Sequence, residues 1–359
     1  MRIAFVDHYV HDHLSGRAST VSGAERQQWL LGRALAAQGW SVVFGVDRGL
    51  PPGDRTRYDG VEFVGIGGGS TLANWRRFLA SEQPDWSYWR GAYHLLGPAM
   101  ELAKQSGAKT IFAAAFDSDV IPTRALSFRR RLWPLFAWAL ARTDRIFVQH
   151  GGQLANLRAP WRSKARIVYS IAGGPSAAKP HAQRCAYVAW VGMLRQPKRP
   201  DLLLEIARKA TDVRFVVCGA PSSHRSPAGY GERMAEALRT CPNIEYLGQV
   251  PPEQAHAVMA DASVLLSTSD EEGFPNTFLQ AWSCGTPVVS LTVDPDRMIE
   301  QCHLGGVVGT PESAVVTLQE LLASPERRDA IAARAMRHVA AVHSEESVTA
   351  AFHQAIRTA

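Results

Sequence analysis

A carboxylate, two cations and a run of backbone amides are grouped in this sequence in a way that suits an anionic, hydroxyl-rich ligand. Ser267 to Leu291 reads STSDEEGFPNTFLQAWSCGTPVVSL. Glu272 and Gly273 fall in a loop between a short apolar run and a helical pattern. Pro275 suits the first helical position, where its missing N–H costs nothing. The N–H groups of Asn276, Thr277 and Phe278 are expected to be open at that helix start, and with the helix dipole they favour a phosphate. Glu272 beside them can accept hydrogen bonds from sugar hydroxyls, and Gln280, two turns into the helix, offers an amide for further ones. Upstream, Arg195 and Lys198 follow another apolar run. The arginine can grip a diphosphate as a bidentate fork and the lysine as a point charge. The competing readings are an ordinary βα turn with a solvated acid and a solvated basic turn.

These groups need a scaffold that gathers strand ends. Ala262 to Leu266 and Pro287 to Leu291 are short, mostly apolar runs with polar borders and read as buried parallel strands. The helix between them runs from Pro275 to about Cys284, with Gly285 where a C-terminal cap is expected. The alternation recurs along the chain. Strands are predicted at 2–6, 41–44, 61–64, 86–89, 110–113, 145–148 and 167–169, then at 186–192, 213–218, 244–247 and 306–308, with helical segments between most of them. Such a pattern predicts parallel sheets with helices on both faces. Ligands of these sheets bind outside the carboxyl ends of the strands. Ala172 to Gln183, AGGPSAAKPHAQ, reads as a linker between domains at 1–171 and 184–344.

The first domain offers further candidates. Gly23 opens a helix after a polar loop, Asp7 to Ser22, in a βαβ start that lacks the full dinucleotide fingerprint. A helix-packing glycine is the competing reading. The loop holds His8, His11, Asp12 and His13, whose spacing matches no closed zinc pattern; it reads as a mobile loop lining a binding site. The acid pairs Asp117/Asp119 and Asp294/Asp296 read as loop or capping acids, with Asp117 the one that can face a sugar. From Arg124 to Arg145 six arginines stand against one acid. On a helical projection Phe128, Leu132, Leu135, Phe136 and Ala139 share a face, while Arg129, Arg130 and Trp133 lie off it, and Pro134 divides the segment. With Arg131 these form either a patch that docks on anionic lipid or the solvated rim of a core helix.

The chain has 359 residues, enough for two domains, and its 46% apolar and 20% charged composition is that of a globular protein. No apolar run is long enough for a transmembrane helix, and the N-terminus reads as a strand and not as a signal peptide. Five widely spaced cysteines, without Cys-x-x-Cys, read as reduced thiols of a cytoplasmic protein. The net charge of +6 suits an anionic substrate, a membrane surface or nucleic acid, and alone decides nothing.

Glu272-Gly273-Phe274-Pro275-Asn276-Thr277-Phe278-Leu279-Gln280, followed by Gly285-Thr286-Pro287-Val288-Val289, resembles the Glu-x7-Glu signature of the retaining GT-B glycosyltransferases of family 4. Ser22 to Arg26 with Gly39 to Val42 resembles the N-terminal half of that family. The resemblance implies an α/β GT-B architecture: two Rossmann-like domains facing across a cleft, acceptor on the first, donor on the second, and a C-terminal helix (about 345–359) returning to the first. It implies that Glu272 contacts the donor sugar, that Gln280 stands where a Glu contacts the ribose, that Gly23 lets backbone approach the diphosphate, and that Arg195 and Lys198 hold it. Where many members have a His, this chain has Phe116-Asp117. Several relatives acting on lipid-linked acceptors carry a basic aromatic segment like Leu126 to Arg142. The implied reaction is transfer of a sugar from a UDP- or GDP-sugar to an acceptor hydroxyl of a lipid-linked or surface glycan, with front-face attack. It needs no metal, no cofactor beyond the donor as co-substrate, and no nucleic acid. An inactive GT-B-fold binding subunit and a nucleotide-sugar epimerase are the alternatives.

Overall fold

Apolar strands with polar borders alternate with amphipathic helices, and a computed structural model shows how they assemble. The structure describes residues 1–6, 10–15, 23–67, 72–125, 130–173 and 179–357. Two units divide the chain, residues 1–171 with 345–359 and residues 172–344.

In the first unit the order is β1 (Arg2–Val6), α1 (Val10–Leu14), α2 (Gly23–Ala37), β2 (Ser41–Val46), β3 (Arg55–Tyr58), β4 (Val61–Gly65), α3 (Leu72–Glu82), β5 (Trp86–Arg90), α4 (Leu96–Gln105), β6 (Lys109–Ala113), α5 (Pro122–Ala125), α6 (Trp133–Arg142), β7 (Arg145–Val148), α7 (Gly151–Asn156), α8 (Ala159–Arg162) and β8 (Ala165–Ile167). The sheet runs β3-β4-β2-β1-β5-β6-β7-β8. Its pairs are parallel except β3 with β4, where Arg55 faces Val64. Two apolar layers cover the faces. One joins Phe5, Phe44 and Phe63 to α2, and the other joins Trp75, Phe112 and Phe136 to α3, α4 and α6.

The second unit contains β9 (Val188–Val191), α9 (Pro200–Lys209), β10 (Phe215–Cys218), α10 (Tyr230–Arg239), β11 (Ile244–Gly248), α11 (Pro252–Asp261), β12 (Val264–Ser267), α12 (Asn276–Ser283), β13 (Val288–Ser290), α13 (Met298–Gln301), β14 (Gly305–Val307), α14 (Pro311–Ala323) and α15 (Pro325–Val342). Its sheet is parallel throughout, in the order β11-β10-β9-β12-β13-β14. The last helix, α16 (Glu345–Arg357), belongs to the first unit. There Phe352 meets Trp40 and Phe147 edge to face, and Arg145 Nε donates to the Ala355 carbonyl at 3.0 Å.

Strand order decides where a ligand can sit. The chain builds outward from β9 through β10 to β11, then returns to the other side of β9 with β12. The loops after β9 and β12 therefore diverge and leave a crevice at the carboxyl edge between them. In the first sheet the same reversal falls between β1 and β5.

Three readings of the sequence change. Residues 10–14, expected in a mobile loop, form α1, and the His11 ring is buried against Tyr58 and Phe63. β3 is a short, polar edge strand without the apolar run that marks the others. Leu135, placed on the apolar face of a helix beginning near Leu126, is instead 41% exposed, because the helix starts at Trp133 with Pro134 in its first turn.

Candidate functional site

The two loops at the second sheet's switch point are tied together by hydrogen bonds and an ion pair. Trp190, on β9, donates its Nε1–H to Thr268 Oγ1, just past β12, at 3.0 Å. Thr268 Oγ1 donates in turn to the Lys198 carbonyl at 2.7 Å. The Asp270 amide donates to the Pro197 carbonyl at 3.0 Å, and Arg199 pairs with Asp270 at 3.2 Å. These ties hold residues 195–199 against residues 268–272. The loop after β10 closes against the same place. Leu194 N–H donates to the Ala220 carbonyl, and a Cβ on Gly219 would lie 1.8 Å from the Gly192 oxygen, so only glycine allows that approach.

On this frame Lys198 Nζ pairs with Glu272 Oε1, and both side chains are largely buried. A buried ion pair needs this kind of fixed geometry to offset desolvation, and it sets two functional groups in a defined place. Arg195 lies alongside. Burial pulls its guanidinium below the ordinary value, against the opposing influence of Glu272. Its Nε is buried without a hydrogen-bond partner among the described residues. Thus Glu272, Arg195 and Lys198, read from the sequence as one group, do converge.

Helix α12 starts at Asn276, one residue later than the sequence suggested. Pro275 is its N-cap, with ψ 118, and Phe278 N–H donates to the Pro275 carbonyl at 3.1 Å. Phe278 is therefore not an open amide; Asn276 and Thr277 occupy the first turn. Gly273 and Phe274 are buried, and Phe274 packs 4.9 Å from the His343 ring, which supports the loop from behind. Gln280 is half-buried two turns along α12. The far end of the helix is fixed by Arg184, which donates to the Cys284 carbonyl and to Thr286 Oγ1. Gly285 follows with φ 72, the left-handed cap that favours glycine. His181 accepts from Arg328 Nε on Nδ1, so its Nε2 carries the proton donated to the Gly285 carbonyl at 2.9 Å. Burial lowers its pKa to about 4, which agrees with this neutral tautomer.

In the first unit Asp117, just past β6, is not a cap. Its Oδ1 meets His150 Nε2 at 2.7 Å and accepts from Gln153 Nε2 at 3.0 Å. Its side chain stays 42% exposed while that of His150 is 8% exposed. Asp119 instead takes the capping role, accepting from the Ala115 and Phe116 amides, and Asp294 accepts from the Ile299 amide. Nearby, at the ends of β5 and β7, Arg90 Nε and Gln149 Oε1 are buried without hydrogen-bond partners among the described residues, beside a small cavity. His150 and Gln153 were missed by sequence reasoning; the signal available was a polar Gln149-His150 directly after an apolar strand. Gly23 begins α2. His8 and Arg129 lie outside the described residues, as does the side chain of Arg130. Arg131 and Trp133 are exposed. Among the described residues no cluster of three or more His, Cys, Asp or Glu could hold a metal, and no helix is long and apolar enough to cross a membrane.

This two-unit α/β architecture is that of the GT-B glycosyltransferases. Sucrose-phosphate synthase from Thermosynechococcus elongatus superposes over 99% of this chain and 98% of its own, with a TM-score of 0.78 at 17% identity. HepE of Anabaena, solved with UDP and glucose, covers 99% of each chain with a TM-score of 0.74 at 12% identity. Residues 185–333 match the family described as Glycosyl transferases group 1, so the second unit carries a domain of that kind. The D-inositol 3-phosphate glycosyltransferase of Mycobacterium tuberculosis is 32% identical over 184 residues, which is 48% of this chain and 37% of the relative. That of Segniliparus rotundus is 33% identical over 159 residues, 42% of this chain and 35% of the relative. The matches thus span little more than a third of these relatives' length.

Proposed function

We propose that this protein is a glycosyltransferase that moves a sugar from a nucleoside-diphosphate donor, UDP- or GDP-linked, to an acceptor hydroxyl with retention of anomeric configuration. The observation that carries the reading is the convergence of Glu272, Lys198 and Arg195 at the second sheet's switch point, within the segment that matches the glycosyltransferase family. In this reading Arg195, Lys198 and the first turn of α12 take the diphosphate. They stabilise the charge that develops on it as its bond to the sugar breaks. Glu272 accepts hydrogen bonds from the sugar, with its carboxylate position fixed by Lys198. Gln280 bonds the ribose. These cations supply the positive charge that the departing diphosphate needs, so the step calls for no metal. Attack comes from the leaving-group face, and the departing phosphate takes the acceptor proton.

The acceptor hydroxyl is received in the first unit, where Asp117 presents a carboxylate steadied by His150 and Gln153. The relatives named for inositol phosphate and sucrose phosphate support a polyhydroxylated acceptor. Charge and exposure on α6 support an acceptor carried on lipid, such as an envelope or surface glycan, with the protein held peripherally at an anionic membrane. Residues 124–166 carry ten Lys and Arg against one acid, and Trp133, Leu135 and Trp138 are exposed among them.

The test is donor turnover by Glu272→Ala and by the isosteric Glu272→Gln, each confirmed folded by its melting temperature. Turnover is expected to fall roughly hundredfold in both, the scale of losing one well-placed polar group in an active site. Wild-type turnover in folded Glu272→Gln would sink the reading.

A further inference from the structure

The loop after β10 brings a third cation to the donor site. Residues 222–226 cross the rim of the site. The Gln196 amide donates to Ser226 Oγ at 2.8 Å, and the Ser222 amide to the Leu194 carbonyl at 3.2 Å. Between these ties Arg225 adopts a left-handed backbone, φ 57, a conformation that disfavours residues with a side chain. The direction it takes is toward Glu271, and Arg225 Nη2 donates to Glu271 Oε2. Glu271 is the neighbour of Glu272, which holds Lys198. Two adjacent carboxylates thus each engage a cation from a different loop, with Arg195 beside both and close enough to feel the charge of Arg225. His224 lies within the field of the two arginines, and burial together with that field depresses its protonation.

Three cations around one spot, two of them held by carboxylates, is the arrangement a diphosphate would complete. We infer that Arg225 is a further phosphate-binding residue of the donor site, and that its ion pair with Glu271 is exchanged for contact with the donor's diphosphate on binding. The proposal rests on the reading of the second unit as a donor site. A guanidinium partly exposed at 23% can turn from carboxylate to phosphate without unburying a core group. The exchange also has a consequence that a merely structural strap lacks. Glu271 competes with the phosphate for Arg225, so the two partners of one ion pair must act on affinity with opposite signs.

The experiment is calorimetric titration of wild-type, Arg225→Ala and Glu271→Gln protein with UDP and UMP, and with GDP and GMP, each variant checked by melting temperature. Arg225→Ala is expected to weaken binding of the diphosphate about tenfold, the size of one charge-assisted hydrogen bond, with the monophosphate changed less than twofold. Glu271→Gln is expected to tighten the diphosphate severalfold. If the two variants shift diphosphate affinity in the same direction, or neither shifts it while wild type binds, the pair is a strap and the proposal is overturned. If wild-type protein binds no nucleotide, the donor-site reading falls first and this proposal falls with it.

Discussion

Asp117 and His150 come from different strand ends, and their contact exists only because β6 and β7 are neighbours in the first sheet. Two donors converge on Asp117 Oδ1, so the charge of the carboxylate is already anchored and Oδ2 is the atom left to meet a ligand. Asp117→Asn keeps the shape and removes the charge. Under the proposed function it should lower turnover about tenfold or more while nucleotide affinity stays within twofold, because the nucleotide is bound by the other unit. Steady-state kinetics beside a nucleotide titration would check this; unchanged turnover would remove Asp117 from the reaction. The residues gathered at the second sheet's switch point were easier to read. Glu272, Arg195 and Lys198 stand in loops that follow apolar runs, so their grouping could be read from the sequence. His150, Gln153 and Arg225 gain their meaning from partners far away in sequence, and no local pattern carries that.

At the scale of elements, what could be read depended on whether an element's signal was local. Apolar strands and the helix capped by Gly285 were legible to within a residue or two. The polar edge strand β3 was not, since an edge strand needs no apolar run. The start of α12 was placed one residue early, because a proline fits the N-cap as well as the first helical position. The segment containing α6 differs from its helical projection in a way that matters. With the helix beginning at Trp133, Phe136, Ala139 and Leu140 face the core, while Pro134, Leu135 and Trp138 face outward. An apolar outward face within a basic surround suits an anionic bilayer. Co-sedimentation with vesicles of phosphatidylglycerol and phosphatidylcholine should retain the wild-type protein more than vesicles of phosphatidylcholine alone, and Trp133→Ser with Leu135→Ser should lower the bound fraction severalfold. A wild-type protein that ignores anionic vesicles, or a dimer that the double variant separates, would contradict the membrane reading.

Across the whole molecule, charge is unevenly shared. The first unit holds 23 Lys and Arg against 15 Asp and Glu, a net +8, and the second holds 16 against 18, a net −2. The acidic unit nevertheless gathers Arg195, Lys198 and Arg225 at one place. Under the proposed function, local concentration at a sheet's switch point, and not overall charge, is what suits it to a nucleoside diphosphate. The alternation of strand and helix made two parallel-sheet units legible from the sequence. The strand order, which locates the crevice, was not, because neighbours in a sheet are chosen by long-range packing. The measurement that bears most directly on the account is calorimetric titration of the wild-type protein with UDP, GDP and ADP, without added metal. The account predicts micromolar binding of one nucleotide, lost when Arg195 and Lys198 are both replaced by alanine. No binding of any of the three, or binding that the double replacement leaves intact, would contradict it.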